Sequence, residues 1–310
     1  MTRNLWRPDM GVIDLFVSLL PVNIIQGLIY ALVALGIMIP LRILSFPDLT
    51  SEGSFPLGAC ALAACLELDF SPIGATMVAV FSGALAGMAT ASIHRWLRIN
   101  TMLCGIIVLT ILFSINVRIM GKPNIALFSH PSVFSLMFGE NSVNQYNQIL
   151  LLGLLVAMVT VLLYFFFQTQ AGMAMRAVGA SVPMAKAQGI DVARYTSWGL
   201  AIGGALTALG ASLQAQLQGF ADVNLGFGVL INGLAAVILG EALLGNQSIK
   251  RQLLAPVVGA FIYFQVIGFV LALGLRPSDL KALTGMFVLI TMLVPIVRKT
   301  DTGPTVGIRE

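Results

Sequence analysis

Long runs of apolar residues alternate with short polar connections along nearly the whole chain. A membrane-spanning helix needs roughly 20 apolar residues, and about nine runs reach that length or form part of such a helix. These runs are residues 23–41, 45–59, 73–93, 102–120, 148–167, 197–217, 227–239, 254–273 and 280–297. The pattern predicts an all-α polytopic membrane protein with about nine membrane-embedded helices, one of them discontinuous.

The same pattern divides the chain into three parts. Residues 1–22 form a polar or interfacial segment, residues 23–298 a transmembrane domain, and residues 299–310 a cytoplasmic tail. Residues 12–20 are apolar enough to lie in the membrane interface. Pro21 is expected to separate them from the first span.

The discontinuous helix is predicted at residues 45–59. Four residues interrupt this apolar run, namely Pro47, Gly53, Pro56 and Gly58. Broken helices in membranes lie against protein or a water-filled cavity, because their released backbone groups need partners. The segment is therefore a candidate for the lining of a solute pathway.

Basic residues recur at alternate connections between the runs. They are His94, Arg95, Arg98, Arg176, Lys186, Arg194, Lys250, Arg251, Arg298 and Lys299. Short loops rich in Lys and Arg lie in the cytoplasm, so the N-terminus is predicted outside and the C-terminus inside. Arg3 and Arg7 disagree with this orientation, and an extra crossing at residues 12–20 is the alternative that would accommodate them.

Residues 173–195 form a charged island between two apolar runs and are predicted to face the cytoplasm. Gly179 is expected to end the preceding helix. Ser181 is then a suitable N-cap and Pro183 falls in the first turn of a short helix at residues 182–188, which Gly189 can close. A helix of about two turns is marginal alone in water, so it is expected to pack on a partner protein.

Composition supports the membrane class and excludes several others. Of the 310 residues, 58% are hydrophobic and only 10% are charged, whereas a soluble domain is roughly a quarter charged. The net charge of +4 follows from basic cytoplasmic loops and does not require a nucleic-acid partner. The sequence contains no Walker A motif and no metal-binding spacing of His or Cys, so no catalytic residue, metal or bound cofactor is expected.

One polar group in the broken helix consists of Asp48, Thr50, Glu52 and Ser54. An acid at membrane depth is costly unless it faces protein or water, so Asp48 or Glu52 is a candidate to hold a substrate ammonium or line a gate. The alternative is structural. In it, the group caps a helix that begins near Ser54, with Glu52 in interfacial water.

A second polar group comprises Gln214, Gln216, Gln218, Asp222 and Asn224. Gln214 and Gln218 are four residues apart and share a helix face. These side chains are candidates to meet solute at the outer mouth, or alternatively to satisfy backbone groups in a turn.

Asn232 and Glu241 belong to the run that follows. Asn232 is a further candidate for the pathway. Glu241 is expected to pair with Lys250 or Arg251 at the membrane boundary, and contact with a cytosolic partner is the alternative. Small residues at helical spacing, Gly83 with Gly87 and Gly199 with Gly203, are expected to mark helix-packing faces within the chain rather than a dimer seam.

Several separated motifs together resemble one family. The segment RAVGASVPMAKAQGIDVARY is similar to the cytoplasmic coupling segment of permease subunits of ABC importers of the branched-chain amino acid and ribose type. The segments PDLTSEGSFPLGA, QLQGFADVNLGFGVLINGLAAVILGEALL and LRPSDLKALTG most resemble the subgroup assigned to tryptophan or tyrosine uptake. The resemblance extends over almost the whole chain.

This resemblance implies a transport subunit of an importer for an aromatic or branched-chain amino acid or a similar small organic solute. Two permease copies, a homodimer, would form the pathway in the bacterial inner membrane. Two cytosolic ATPase subunits would carry ATP and Mg, and an extracytoplasmic binding protein would deliver solute. The residues implied in ATPase coupling are Ser181, Val182, Pro183, Met184, Ala185, Lys186, Gln188 and Gly189.

Two other classes remain open from the residues alone. An ion- or proton-coupled secondary transporter would work without an ATPase and would need ionisable residues deep in the spans. The other class is a membrane-embedded enzyme or assembly factor, for which the sequence offers no catalytic constellation.

Overall fold

The computed structural model describes residues 12–139 and 144–274, together with four single helical positions, Ala282, Gly285, Met286 and Leu289. The helices are α1 (Val12–Met38), α2 (Ser51–Glu67), α3 (Pro72–Leu97), α4 (Thr101–Met120), α5 (Val133–Phe138), α6 (Gln145–Gln168), α7 (Gln170–Ala180), α8 (Val182–Ala187), α9 (Val192–Gln218), α10 (Val229–Leu244) and α11 (Ile249–Ala272). A π-helical turn (Ile39–Ile43) extends α1, and a 3-10 turn (Val223–Gly226) precedes α10. The two strands are β1 (Asn124–Ala126) and β2 (Phe220–Asp222).

Seven helices in the described part of the chain are long and apolar enough to cross a membrane. They are α1 with its π-helical turn, α3, α4, α6, α9, α10 with its 3-10 turn, and α11. The coarse prediction of a polytopic helical membrane protein is confirmed. The number of about nine embedded helices stays a prediction, because only four positions of the predicted span at residues 280–297 are described.

The first helix is longer than predicted. Pro21 lies inside α1, and the helix runs without a break from Val12 to Met38. The prediction that Pro21 separates an interfacial segment from the first span is therefore wrong, and residues 12–20 do not form an extra crossing. Proline removes one backbone hydrogen bond, and membrane helices tolerate this where neighbouring groups compensate.

Helix packing relies on glycines that let backbones approach closely, as expected in a membrane. α3 and α9 form the most extensive helix pair of the described residues. A Cβ atom at Gly83 would overlap Gly204, and one at Gly87 would overlap the carbonyl oxygen of Leu200. The prediction that these glycines mark packing within one chain is confirmed.

Basic side chains cluster at one end of the bundle, which we call the basic end. It comprises the C-terminal ends of α3 and α10, the α7–α8 segment, the N-terminal ends of α9 and α11, and the residue Arg42. The opposite end contains β1 and β2, which pair antiparallel with Asn124 facing Asp222, and we call it the strand end. The two ends agree with the predicted alternation of loops, while the cytoplasmic location of the basic end stays a prediction.

Candidate functional site

The segment at the basic end contains the predicted short helix, now α8. The Ser181 side chain accepts a hydrogen bond from the Met184 N–H, and Pro183 lies in the first turn, as predicted. Gly189 adopts φ +76° and its N–H bonds to the Lys186 carbonyl. The next N–H, of Ile190, reaches Ala185, which completes a Schellman closure. The helix ends at Ala187, with Gln188 as its C-cap.

Gly179 does not end the preceding helix, so that prediction is wrong. α7 continues through Ala180, and Gly179 faces the end of α1, where a Cβ atom would overlap the Ile43 carbonyl oxygen. Ser45 donates from its hydroxyl to the Gly179 carbonyl oxygen at 3.0 Å. The glycine therefore serves close packing, and it fixes α7 to the point where α1 ends.

α8 turns an apolar surface outward. Met184 is 64% exposed and Val182 is 43% exposed, whereas Ala185 faces the bundle and is 2% exposed. Lys186 and Gln188 are also exposed. In a helix this short, exposed apolar side chains offer a contact surface, and Ala185 instead holds the helix against its own bundle.

The break between α1 and α2 is built around a buried hydroxyl pair. Asp48 accepts the Thr50 N–H at 2.8 Å, just before α2 begins at Ser51. Thr50 and Thr90 hydroxyls lie 2.9 Å apart, and Ser54 donates to the Ser51 carbonyl. The chain does break before α2, at residues 44–50, and α2 begins three residues before Ser54. The predicted interruptions at Gly53, Pro56 and Gly58 are wrong, because all three residues lie within the continuous helix α2. Asp48 stabilises this start, which favours the structural interpretation for that residue.

Glu52 is placed differently from Asp48. Its side chain is half-buried and lies close to the Gly228 backbone N–H, at the N-terminus of α10. It also lines a cavity of about 280 Å³ between α2, α4 and the 3-10 turn. The neighbouring Gly53 packs on Leu109 and Leu112, near the middle of α4. Glu52 therefore lies at mid-depth in the bundle rather than at its surface.

The cavity also brings in residues that sequence reasoning missed. Besides Glu52 its walls include Pro56, Thr110, Phe113, Asn116 and Phe227. The Asn116 amide donates to the Gly53 carbonyl, and its buried Oδ1 has no hydrogen-bond partner among the described residues. The available signal for Asn116 was a side-chain amide within the largely apolar run of α4.

The glutamines of α9 divide into two kinds. Gln216 connects three elements, because its Oε1 accepts the Val133 N–H at 2.8 Å and its Nε2 donates to Thr76 and Ser212. Gln214 and Gln218 each carry a buried Oε1 without a partner in the described residues. Gln216 is thus structural, whereas Gln214 and Gln218 keep an unmet acceptor.

Asp222 and Asn224 shape the turn before α10. Asp222 accepts the Asn224 N–H at 2.7 Å and the Asn124 side-chain amide at 3.3 Å. These bonds hold the 3-10 turn and connect β2 to β1. The contacts match the interpretation in which this group satisfies backbone groups in a turn.

The two polar residues of α10 join other helices. Asn232 accepts a hydrogen bond from the Tyr263 hydroxyl at 2.9 Å and also bonds to Tyr30, so it connects α1, α10 and α11. Glu241 pairs with Arg42 at 2.6 Å. The predicted pairing of Glu241 with Lys250 or Arg251 is wrong, because α10 ends beside the end of α1.

Chemical groups suited to a metal are sparse in the structure. No group of three or more His, Cys, Asp or Glu side chains comes together among the described residues. Cys60, Cys65 and Cys104 are free thiols within the helices.

These features describe a multi-pass helical membrane protein, with a break in the chain before α2 and a cavity at mid-depth. The chain belongs to the family described as branched-chain amino acid transport system / permease component, whose profile matches residues 22–296.

Curated relatives agree with this membership. The chain is 39% identical to a tyrosine transport system permease protein of Clostridioides difficile (strain R20291), over 85% of this chain and 87% of the relative. It is 30% identical to an uncharacterised protein of Rickettsia prowazekii (strain Madrid E), over 86% of this chain and 94% of the relative. No solved structure matches it significantly.

Proposed function

We propose that this chain is the permease subunit of an ATP-driven importer for an amino acid, with an aromatic or branched-chain side chain. Family membership and the relative named for tyrosine transport support the substrate class. The observation that carries the proposal is α8, a capped helix with Val182 and Met184 exposed at the basic end.

In this proposal α8 is the coupling helix on which a cytosolic ATPase docks. Its residues Ser181 to Gly189 form a rigid unit, because both ends are closed by hydrogen bonds. α7 connects that unit to Ser45, directly before the break that leads to Asp48 and α2. A shift of α8 would therefore reach the broken helix through one hydrogen bond and one glycine contact.

The proposal extends to the remaining components of an importer. ATP and Mg bind the ATPase subunits, and this chain holds no cofactor. Two copies of the chain form a homodimer in the bacterial inner membrane, with the basic end and the C-terminus in the cytoplasm. An extracytoplasmic binding protein delivers solute at the strand end.

The coupling role predicts a specific defect in a Met184→Glu variant. Burial of a carboxylate at an apolar contact is unfavourable, so ATPase co-purification and ATP-driven uptake should each fall roughly tenfold or more. Met184→Leu, which keeps the apolar surface, should behave as wild type. The melting temperature of both variants should match wild type, because Met184 is exposed. Wild-type uptake by a well-folded Met184→Glu complex would contradict the role.

An ion-coupled secondary transporter is the second candidate, and Glu52 is the observation that favours it. A half-buried carboxylate at mid-depth is a usual feature of proton- and ion-coupled carriers. Transport into reconstituted vesicles distinguishes the two candidates. One set of vesicles contains the purified chain alone, and the other also contains the ATPase. Solute accumulation driven by an ion gradient without ATPase would support the carrier, and accumulation only with ATPase and ATP would support the importer.

A further inference from the structure

We propose that the cavity between α2, α4 and the 3-10 turn is a solute subsite that recognises the ammonium group of an aromatic amine through Glu52. The inference rests on the proposed function and assigns a ligand chemistry to one place in the bundle.

The first argument is charge. Glu52 is the one ionisable residue in the cavity wall of the described structure, and the wall contains no basic side chain. A carboxylate offers about four acceptor positions, so the contact with the Gly228 N–H leaves capacity for a ligand. A cation in this low-dielectric setting interacts strongly with that carboxylate, whereas an anion is repelled.

The second argument is the acceptor at Asn116. Its Nδ2 donates to the Gly53 carbonyl, while its Oδ1 is buried and has no partner among the described residues. Buried polar atoms are rarely left unsatisfied in proteins. An ammonium group carries three hydrogen-bond donors. A site with a carboxylate and a spare amide oxygen therefore suits an ammonium ligand better than an anionic one.

The third argument is shape. Phe113, Phe227 and Pro56 supply apolar and aromatic walls, and the volume of about 280 Å³ lies just below the range of roughly 300–1,000 Å³ for drug-sized ligands. Such a space accepts one small molecule with an apolar body. Aromatic faces also attract cations, which adds to the preference for an ammonium.

Melting of the wild-type permease in lipid nanodiscs tests this preference with two matched probes. Tyramine has an ammonium and a phenol ring, and 3-(4-hydroxyphenyl)propionate has a carboxylate in place of the ammonium. Tyramine should raise the melting temperature and the propionate should not. Glu52→Gln should weaken tyramine binding roughly ten- to hundredfold, because it removes a charge-assisted contact. Equal effects of both probes on wild type would overturn the subsite.

A second measurement does not depend on ligand affinity. A Thr110→Cys variant, in a background with Cys60, Cys65 and Cys104 replaced by Ala, is treated with cationic and anionic methanethiosulfonate reagents. The ratio of cationic to anionic reaction rates should fall about tenfold when Glu52→Gln is added. Phe128→Cys, at an exposed position beside β1 and outside the cavity, is the control, and its ratio should not change. An unchanged ratio at Thr110→Cys would also overturn the subsite.

Failure of this subsite and failure of the importer are distinguishable. ATP-driven amino acid uptake together with no charge preference in the cavity rejects the subsite and keeps the importer. A Glu52-dependent preference together with no ATP-driven uptake keeps the subsite and rejects the importer.

Discussion

Arg42 and Glu241 fasten the ends of α1 and α10 at the basic end. The Glu241 side chain is 14% exposed and Arg42 is 45% exposed, so the carboxylate depends more on its partner than the guanidinium does. A poorly solvated charge that loses its partner bears a desolvation cost, which exceeds the small value of a typical surface ion pair. We therefore expect the pair to stabilise the fold.

Reversal of one charge should expose that dependence. Arg42→Glu places two carboxylates together and should lower the free energy of unfolding by about 1–3 kcal/mol, measured by thermal melting in detergent. The double variant Arg42→Glu with Glu241→Arg should recover most of the loss. Arg176→Glu, an exposed site on α7, serves as the control and should change little. A double variant as unstable as the single one would rule out direct pairing.

Single residues also show what sequence can and cannot reveal. Ser181, Pro183 and Gly189 act locally, within four residues, so their roles were predictable from type and order. Gly179 and Glu241 act on partners far away in sequence, and both were misjudged. The Arg42–Glu241 pair spans 199 residues, and residue type alone does not identify such a partner.

At the level of elements, α3 and α9 form the most extensive helix interface in the described part of the chain, and glycine makes it possible. The helix backbones approach so closely at Gly87 that a side chain would meet the Leu200 carbonyl. Gly83 has the same relation to Gly204. Spacing of small residues predicted these faces, although it did not predict which helix lies opposite.

Overpacking should therefore separate α3 from α9. Gly87→Leu is expected to destabilise the protein by about 1–3 kcal/mol or more, because backbone atoms cannot move aside as a flexible side chain can. Gly153→Leu on α6 is the matched control, since a Cβ atom there meets nothing within 4 Å. Melting temperature and yield of folded protein measure both variants. Similar stability of the two would contradict the close α3–α9 contact.

Elements of the candidate site were predicted unevenly. The break before α2 and the short α8 were found because Pro, Gly and Ser punctuate a chain in known ways. The strand pair was missed, since three-residue strands carry no usable periodicity. Only part of the cavity wall was predictable. Glu52 was a candidate because it is charged, whereas Phe113 and Phe227 have the same residue type as ordinary lipid-facing positions.

The whole molecule has two chemically distinct ends, and this polarity should decide its orientation. Trp96 at the end of α3 and Phe128 beside β1 are each 79% exposed, at the basic and strand ends respectively. In a cysteine-free background, Phe128→Cys should react with an impermeant thiol reagent added to intact cells. Trp96→Cys should react only after the membrane is opened. The reverse pattern would invert the proposed topology.

Hydropathy and basic loops gave most of the architecture at this scale, because a bilayer permits few solutions. The extent of α1 is the exception. Proline usually breaks helices in soluble proteins, and this rule predicted a helix boundary at Pro21. In the structure α1 continues through Pro21.

The pairing of β1 with β2 has a consequence for biogenesis. Asn124 and Asp222 are 98 residues apart, and helices α5 to α9 lie between them. At a synthesis rate of roughly 5–20 residues per second, β2 is synthesised about 5–20 seconds after β1, and β1 has no partner strand during that interval. The strand end therefore closes late, after α9 has been inserted, and a nascent chain stalled before residue 220 should still expose β1 to proteases.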